Sequence, residues 1–473
     1  MKDLGIFDVC VVGLGPAGIG AALTFLRSGW ARRIICIDAG GAPSSRCCLF
    51  LPKGESRSCD PILNHPDCCL LYNNHIRKNG PCQIISGFGG CSLISGGKLS
   101  LFPAGSRLSA MLGCKEIAIQ KIMQAFKMFS EWTELRSPNI IDQEKGRETF
   151  ERLGFDFKYY DAYEFDQEQL RRAYQALMDQ LMVSGVHVML NCALTDVSKA
   201  NGVFRLLVSQ GNQSGQISTQ FLVLAVGRLG RGLLRTLNSN LELGGSENQL
   251  DVGIRLEFPT SLFEVTRFHN DLKLHFGNAR TFCVCKDGIL TPYALDGVFF
   301  TEGYRGPRIK SGLSNLAISV RMNPSAENEQ LLQTMRCRLL AMSGGKPIRQ
   351  NLLNYLGITS GKNPSEVKSS IAFFELGEID KVFSVELAHS VKKAVEYFVS
   401  RLLPRERWNE VNVYAPEVDY GGLAFATNRD FSVMPGLYLI GDCTGRFRGI
   451  AQALCSGIVC AENIVGDTSV GRR

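Results

Sequence analysis

Three stretches of this 473-residue sequence predict an α/β fold: a parallel sheet wound by helices, with a second α+β region inserted into it. The first stretch runs strand, glycine turn, helix, strand, acid over the first forty residues. The second, Gln220-Phe221-Leu222-Val223-Leu224-Ala225-Val226-Gly227-Arg228, is a buried strand ending in small residues. The third, Pro435 to Gly445, is a strand closing on Gly441-Asp442 ahead of an apolar helix, Ile450 to Ile464. Apolar strands that alternate with helical stretches indicate a doubly wound sheet.

The opening unit is the most informative. Phe7 to Val12 is a short, β-branched, apolar run, which predicts a buried strand. Gly13-Leu14-Gly15-Pro16-Ala17-Gly18 follows, then an Ala- and Leu-rich helix from Ile19 to Leu26, and a second strand from Arg33 to Ile37 closed by Asp38. Gly13 permits the tight turn, Gly15 admits a pyrophosphate to the backbone, and Gly18 lets helix and strand approach. The helix N-terminus offers unpaired N–H groups and a partial positive charge to an anion. Asp38 stands where a carboxylate accepts hydrogen bonds from a ribose. This pattern indicates a bound dinucleotide without saying which one.

Composition narrows the class. Hydrophobic content of 45%, charged content of 21% and a mean hydropathy of +0.01 describe an ordinary globular chain long enough for two or three domains. The net charge of +7 is modest, and no Arg/Lys run with interleaved aromatics points to nucleic acid. Lys2, Asp3 and Asp8 argue against a signal peptide, and no apolar run approaches the ~18 residues of a membrane span. The expectation is cytoplasmic, with neither membrane nor nucleic-acid partners. Seventeen cysteines are then expected to be mostly reduced thiols. Many crowd residues 39–82, a Gly-, Pro- and Ser-rich stretch predicted to be a cysteine-rich loop insertion. The spacing of Cys59, Cys68 and Cys82 matches no compact ligand box, so no metal site is assigned. Metal binding, a labile disulfide and plain thiols all stay open there.

Further along, Ser86 to Leu99 holds Gly87, Gly89, Gly90, Gly96 and Gly97 among Phe88, Leu93 and Ile94, a stretch suited to close approach by a flat ligand. Amphipathic spacing predicts helices over Cys114 to Arg136 and Asp166 to Ser184. Strands follow at His187 to Leu190 and Val203 to Val208. Beyond Arg228 short strands dominate (Val252 to Glu257, Leu272 to Phe276, Thr281 to Val284, Leu316 to Val320), with helices over about 326–342 and 384–403.

In combination, GLGPAG, LVLAVGR and GLYLIGD resemble the FAD-binding segments of glutathione-reductase-type flavoproteins. SGFGGCSLISGGKL, DVGIRLEFP, ARTFCVCKDG and GLSNLAISVRMN are similar to the poorly characterised FAD-dependent dehydrogenases of that superfamily. The resemblance implies a Rossmann-like, three-layer FAD-binding domain from 1–38, 83–228 and 431–473, and an inserted α+β substrate or cap domain at 229–430. It implies that Gly13, Gly15, Pro16, Ala17 and Gly18 hold the FAD pyrophosphate, with Asp38 and Ala39 at the adenosine ribose. Gly89, Gly90, Cys91 and Ser92 would lie along the pyrophosphate and flavin, and Ala225 and Gly227 near the adenine half. Gly441 and Asp442 would meet the ribityl chain or phosphate, and Gly449, Ile450 and Ala451 the flavin pyrimidine edge. Cys91 and Gly96 replace the usual Ala and Asp. The paired cysteines of disulfide reductases, a second GxGxxG, the Asp-Gly motif of aromatic hydroxylases and the paired tryptophans of halogenases are missing.

The implied activity is two-electron hydride transfer between flavin N5 and a small organic substrate. NAD(P)H binding transiently, oxygen or an electron carrier would complete the cycle. The alternatives are an FAD-dependent monooxygenase or oxidase, and an electron-transfer flavoprotein with a cysteine-bound metal centre. Candidate catalytic residues are Cys91, His269 and Arg255, with His275, Tyr304, Arg308, Lys286 and His389 as further acid/base candidates. Arg255 and Arg280 are the expected holders of an anionic substrate. Arg446 and Arg448 would reach phosphate or carboxylate. Cys91 and Cys443 either fill tight turns or take a redox part.

Overall fold

A computed structural model describes residues 1–44, 85–93, 98–102, 104, 106–137, 143–158, 160–262, 273–305, 310–358, 367–371, 373–420 and 422–470. Cys47, Cys48, Cys59, Cys68, Cys69, Cys82, Gly96, Gly97, His269 and Arg308 lie outside these residues, so the expectations placed on them are not addressed by it.

In chain order, β1 (Lys2–Val12), α1 (Pro16–Ser28) and β2 (Ile34–Ile37) form the predicted opening unit. β1 begins before Phe7 because Lys2 and Asp3 pair with Gly215 and Gln216. α2 (Lys115–Ser130) ends short of the predicted Arg136. Trp132 turns in to pack on Phe129 and Tyr174, and Leu135 and Arg136 pair as a strand with Phe165 and Glu164. Long-range pairing outweighs the helical period there. α3 (Gln167–Val183) starts where its cap predicts, since the Asp166 carboxylate accepts from the Glu168 and Gln169 amides. Then come β3 (His187–Met189), β4 (Ala193–Ala200), β5 (Val203–Gln210), β6 (Gln213–Leu224) and α4 (Arg231–Leu241). β4 and α4 were not expected; each buries only a few apolar residues, such as Leu234 and Leu237. The inserted region supplies β7 (Leu250–Pro259), β8 (Lys273–Phe276), β9 (Ala279–Cys285), β10 (Leu313–Met322), α5 (Glu327–Ser343), β11 (Ile348–Asn351), α6 (Val385–Leu402) and β12 (Asn412–Asp419). β13 (Leu437–Leu439) and α7 (Ile450–Val470) close the chain, with a short 3-10 turn at Gly441–Thr444 between them.

The first sheet has a parallel core in the order β3-β2-β1-β6-β13. This is the expected Rossmann-like order, with a crossover between each parallel neighbour. β6 continues beyond that core into an antiparallel meander with β5 and β4. Three layers result. Val9, Val11, Ile34 and Cys36 face the helical side with α1 and α7, while Phe7, Cys10, Ile35 and Ile37 pack on meander residues Phe204, Leu206 and Val208. The period-2 alternation of buried strands serves both faces at once.

The second sheet runs Glu375–Leu376, β11, β12, β7, β10, β9, β8 and Asp156–Lys158; its last edge strand comes from the 83–228 stretch. Its two faces differ sharply. On β7, Leu250, Val252, Ile254, Leu256 and Phe258 point to one side and join the apolar core with α6 residues Val391, Val395 and Phe398. Asp251, Arg255 and Glu257 point to the other. On the same face β10 carries Arg321, Ser319 and Asn315, β12 carries Asp419, Glu417, Tyr414 and Asn412, and β9 adds Arg280 and Phe282. This buried polar face must be internally paired, because an uncompensated buried charge costs several kcal/mol.

α1 and α7 cross in backbone contact. A β-carbon at Gly457 would lie 2.9 Å from both the Ala17 carbonyl carbon and the Ala21 nitrogen, so only glycine admits this approach. The crossing sets the N-termini of both helices on the same side of the parallel sheet, at the ends of β1 and β13.

Candidate functional site

The glycine turn is built by contact rather than by flexibility. Gly13 has φ 95°, and a β-carbon on it would strike the Ala225 carbonyl oxygen; one on Gly18 would strike the Gly13 carbonyl oxygen. Those collisions hold β1, α1 and the end of β6 together. Gly15 is free of such contact on its outer side, where Gly90 faces it: a β-carbon on Gly90 would lie 2.9 Å from the Gly15 Cα. The backbones of the expected glycines 15 and 90 therefore meet at the start of α1.

This helix end fits a phosphate-bearing group. Pro16, Ala17 and Gly18 are buried, Gly15 makes no side-chain cap, and the first turn of α1 has no acid. Ala17 and Gly18 therefore present N–H groups with no intrahelical acceptor, at the positive end of the helix. Gly441 (φ 72°) leans on the same end, 2.9 Å from the Ala17 β-carbon if it carried one, and its N–H donates to Ser456 Oγ at 2.9 Å. α7 starts after Gly449, which is exposed with φ 110° and is likewise followed by a first turn free of acids. Gln452 donates through Nε2 to the Ser100 and Ala104 carbonyls, at 3.0 Å each, while its buried Oε1 beside Gly449 has no hydrogen-bond partner.

Several expected contacts take a different form. Asp38 does close β2, but its carboxylate accepts from the Leu14, Gly40 and Gly87 amides at 2.6, 2.7 and 2.8 Å. Three acceptor positions thus clamp the turn to the 86–87 segment, and Ala39 lies half-buried beside it. Ser92 is fully buried, with its hydroxyl on the Gly89 carbonyl and 3.0 Å from the Tyr174 hydroxyl, so it braces the small-residue turn. Ala225 is buried at the end of β6, and Gly227 is half-buried with φ 56° and nothing near its outer face. Ile450 and Ala451 are buried in the first turn of α7.

Asp442 is part-exposed and receives Arg228 Nε at 3.2 Å. Arg228 was not singled out from the sequence. Tyr293, Glu302 and Cys91 also act on its charge, which brings the 293–302 segment close to this end of the first sheet. Cys91 is exposed next to Gly90, whereas Cys443 is sealed against the Ile440 and Leu224 carbonyls. Burial pushes the Cys443 thiol up to about 12, and it packs as a small group inside the turn.

Arg255 corrects a sequence expectation. It is fully buried in β7 and has no solvent-facing donor to offer a substrate. Its guanidinium grips Glu417 through two bonds of 3.0 and 2.6 Å, Asn315 Oδ1 at 2.9 Å and the Cys283 carbonyl at 3.1 Å, and reaches Glu302 at 3.4 Å. Glu302, also unforeseen, is the part-exposed member of this cluster. Burial alone would raise its carboxyl, but the charges of Arg255, Arg228 and Arg448 outweigh that and hold it below the usual range. Glu417, deeper in, is raised by burial despite Arg255. Cys283 sits at a bulge of β9 with φ 45°, a strained conformation for a non-glycine residue.

Of the other acid/base candidates, His275 is half-buried on β8, and burial, then Lys158 and Arg280, bring it down to about 4. Tyr304 is buried, and Lys286 and His389 are exposed. Among the described residues no set of three His, Cys, Asp or Glu side chains gathers to hold a metal, and no helix is long and apolar enough to cross a membrane.

No protein-family model matches the chain. A curated protein from Clostridium beijerinckii, itself uncharacterised, is 21% identical over 493 aligned positions, covering 96% of this chain and 80% of that one. Among solved structures, a flavoprotein/dehydrogenase from Cytophaga hutchinsonii superposes with a TM-score of 0.41 at 11% identity, covering 98% of this chain and 79% of that one. A geranylgeranyl bacteriochlorophyll reductase-like protein from Thermoplasma acidophilum gives 0.39 at 13%, covering 99% and 80%. A variant of the E. coli quinol fumarate reductase FrdA gives 0.42 at 13%, covering 100% and 72%. At these scores the likeness carries no functional argument; the features that bear on function are the two helix N-termini and the polar sheet face.

Proposed function

We propose that the chain binds FAD and acts as an FAD-dependent oxidoreductase, transferring two electrons between the flavin and a small organic substrate. The observation that carries this reading is the buried, uncapped N-terminus of α1, against which the Gly90 backbone packs too closely for a side chain to intervene. Such an end calls for an anion, and a pyrophosphate supplies it. Ala17 and Gly18 would hold the pyrophosphate with their amides, and Asp38 keeps the turn and the 86–87 segment in shape around it. The Asp442–Arg228 pair suits a polyhydroxyl chain, which needs both an acceptor and a donor. The first turn of α7 would place a partial positive charge at the flavin pyrimidine edge, and Gln452 Oε1 is an acceptor suited to a ring imide N–H.

The bound flavin supplies the hydride chemistry. This chain's residues bind, orient and move the proton. Glu302 is the carboxylate nearest to solvent in the polar cluster, and Arg255 keeps it ionised, ready to take a proton from a substrate O–H or N–H as the adjacent C–H bond breaks. The substrate then leaves oxidised by two electrons. Oxygen or an oxidised electron carrier would take those two electrons to complete turnover; in the opposite direction NAD(P)H would supply them and the substrate would leave reduced.

The test is the absorption spectrum of the purified protein, with heat release of the cofactor. Flavin bands and released FAD are expected. No flavin in any preparation, and none taken up from added FAD, would overturn the reading. Stopped-flow oxidation in air then separates a dehydrogenase, which reoxidises slowly, from an oxygen-using enzyme.

A further inference from the structure

We infer that Gln452 selects the ring of the bound cofactor. With Gly449 it forms a fixed hydrogen-bond acceptor at the start of α7, which admits a planar edge carrying an N–H beside a carbonyl and refuses a flavin substituted on that nitrogen. The inference rests on the flavin reading for the identity of the ring.

Gln452 is fully buried, and what it touches fixes the orientation of its amide. Nε2 donates to the Ser100 and Ala104 carbonyls at 3.0 Å each, which uses both of its hydrogens. Turning the amide over would set Oε1 against two carbonyl oxygens, so the oxygen points away from them. There it has no hydrogen-bond partner among the described residues. A buried acceptor left unmet is costly, and a donor brought by a ligand recovers that cost.

The ordinary use of such a glutamine is absent. A Gln at the third position of a helix commonly reaches back to the N-cap amide. Gly449 is that N-cap, since its carbonyl accepts the first bond of the helix from the Ala453 amide at 2.9 Å, yet Oε1 makes no bond to it. Nor does the adjoining cation claim the oxygen: Arg448 is paired with Asp419. Gly449 keeps the acceptor open instead. A β-carbon on it would land on Oε1, and its φ of 110° is one that side chains rarely adopt.

The chemistry of the ligand follows from the groups on offer. The Ile450, Ala451 and Gln452 amides have no intrahelical acceptor, and no acid stands in the first turn. Donors and one acceptor therefore lie side by side. A carboxylate or a phosphate brings only acceptor oxygens and would be repelled by Oε1. A ring imide, with its carbonyl next to its N–H, satisfies both. An adenine edge carries a similar pattern, but the positive end of a helix favours the ring that gains electrons on reduction.

The experiment strips flavin from the full-length protein and titrates it with FAD and with N3-methyl-FAD, in the parent, in Gln452→Leu and in Gly449→Ala, following flavin fluorescence and absorbance. The parent is expected to bind FAD at least about tenfold more tightly than the methylated form. Gln452→Leu removes the acceptor, and Gly449→Ala covers it while leaving the Nε2 anchors; each is expected to bring the two flavins to within about twofold of one another. If Gln452 were only an anchor for Ser100 and Ala104, Gln452→Leu would weaken both flavins and leave their ratio unchanged, which overturns the inference. Equal binding of the two flavins by the parent, as an adenine edge or a water at Oε1 would give, also overturns it. If the Leu variant fails to fold, Gly449→Ala decides. Uptake of neither flavin removes the flavin reading and this inference with it, whereas uptake of both alike removes this inference alone.

Discussion

Gly457→Ala adds one methyl group to a helix and is expected to destabilise the protein, because of where that methyl must go. It would sit 2.9 Å from the Ala17 carbonyl carbon and the Ala21 nitrogen, and closer still to the Ala17 oxygen. Ordinary contact between such atoms is about 3.5–4.0 Å, so α1 and α7 must part by roughly 0.5–1 Å. A gap of that size forfeits about a quarter to a half of each contact's attraction; over on the order of thirty atom pairs at about 0.15 kcal/mol, the loss is about 2 kcal/mol. The intrinsic helix preference for Ala over Gly returns about 1 kcal/mol, and overpacking strain costs about 1–3 kcal/mol more. The net expectation is a loss of about 2–4 kcal/mol. Gly466→Ala, the same change in the same helix, is the control: Gly466 is exposed with nothing near its outer face, and a gain of about 0.5–1 kcal/mol is expected. Urea denaturation measures both. Because α1 carries the proposed phosphate site at its N-terminus, Gly457→Ala should also weaken FAD retention about tenfold, a shift of about 1.4 kcal/mol. If the two variants change stability in the same direction, the close crossing of α1 and α7 is wrong.

Three further outcomes are expected. Asp442→Ala removes an acceptor and strands Arg228, so FAD retention should fall by about 1.5–3 kcal/mol, read as the ratio of flavin to protein absorbance after gel filtration; full occupancy would refute the role given to this pair. Arg255→Met leaves Glu417 and Glu302 without their cation and should cost about 3–5 kcal/mol in urea, whereas Glu417→Gln, which keeps a hydrogen-bonding partner, should cost less. Equal losses would contradict the cluster. His275 has a folded-state pKa of about 4 against an ordinary 6.5, so the unfolded chain takes up the proton first and stability should fall as pH drops from about 6.5 toward 4. His275→Gln should flatten that slope, and urea midpoints taken above and inside the window will show whether it does.

Locally encoded features were legible. β1, α1, β2, the helix beginning at Asp166 and the helix starting near Ile450 depend on residues a few positions apart, whose spacing and backbone freedom are written in the sequence itself. The mutual approach of Gly15 and Gly90 was half legible: each glycine was marked as a place of close approach, but nothing local says that they face one another. Strand periodicity also carried real information on β7, where Asp251, Arg255 and Glu257 alternate with apolar residues. It could not say whether that polar side meets solvent, substrate or other charges. Arg255 was expected to hold a substrate because the DVGIRLEFP stretch resembles the family's, and neither resemblance nor period says what a side chain on that face meets. Its actual partner, Glu417, is 162 positions away in sequence, and the pairing exists only because β12 lies beside β7.

The sequence by itself determined that a parallel sheet with a glycine turn would form and that an anion-binding helix end would stand at its edge. Backbone sterics and hydrophobic period act over short separations and need no distant partner. Only the tertiary structure decided how fully each buried charge is met within the protein. Arg255 and Arg280 lie on the same polar sheet face, yet one is saturated by Glu417 and Asn315 while the other shares its acids and keeps an open Nε. That difference is set by strand register and by the charges that packing brings alongside, which no local pattern encodes.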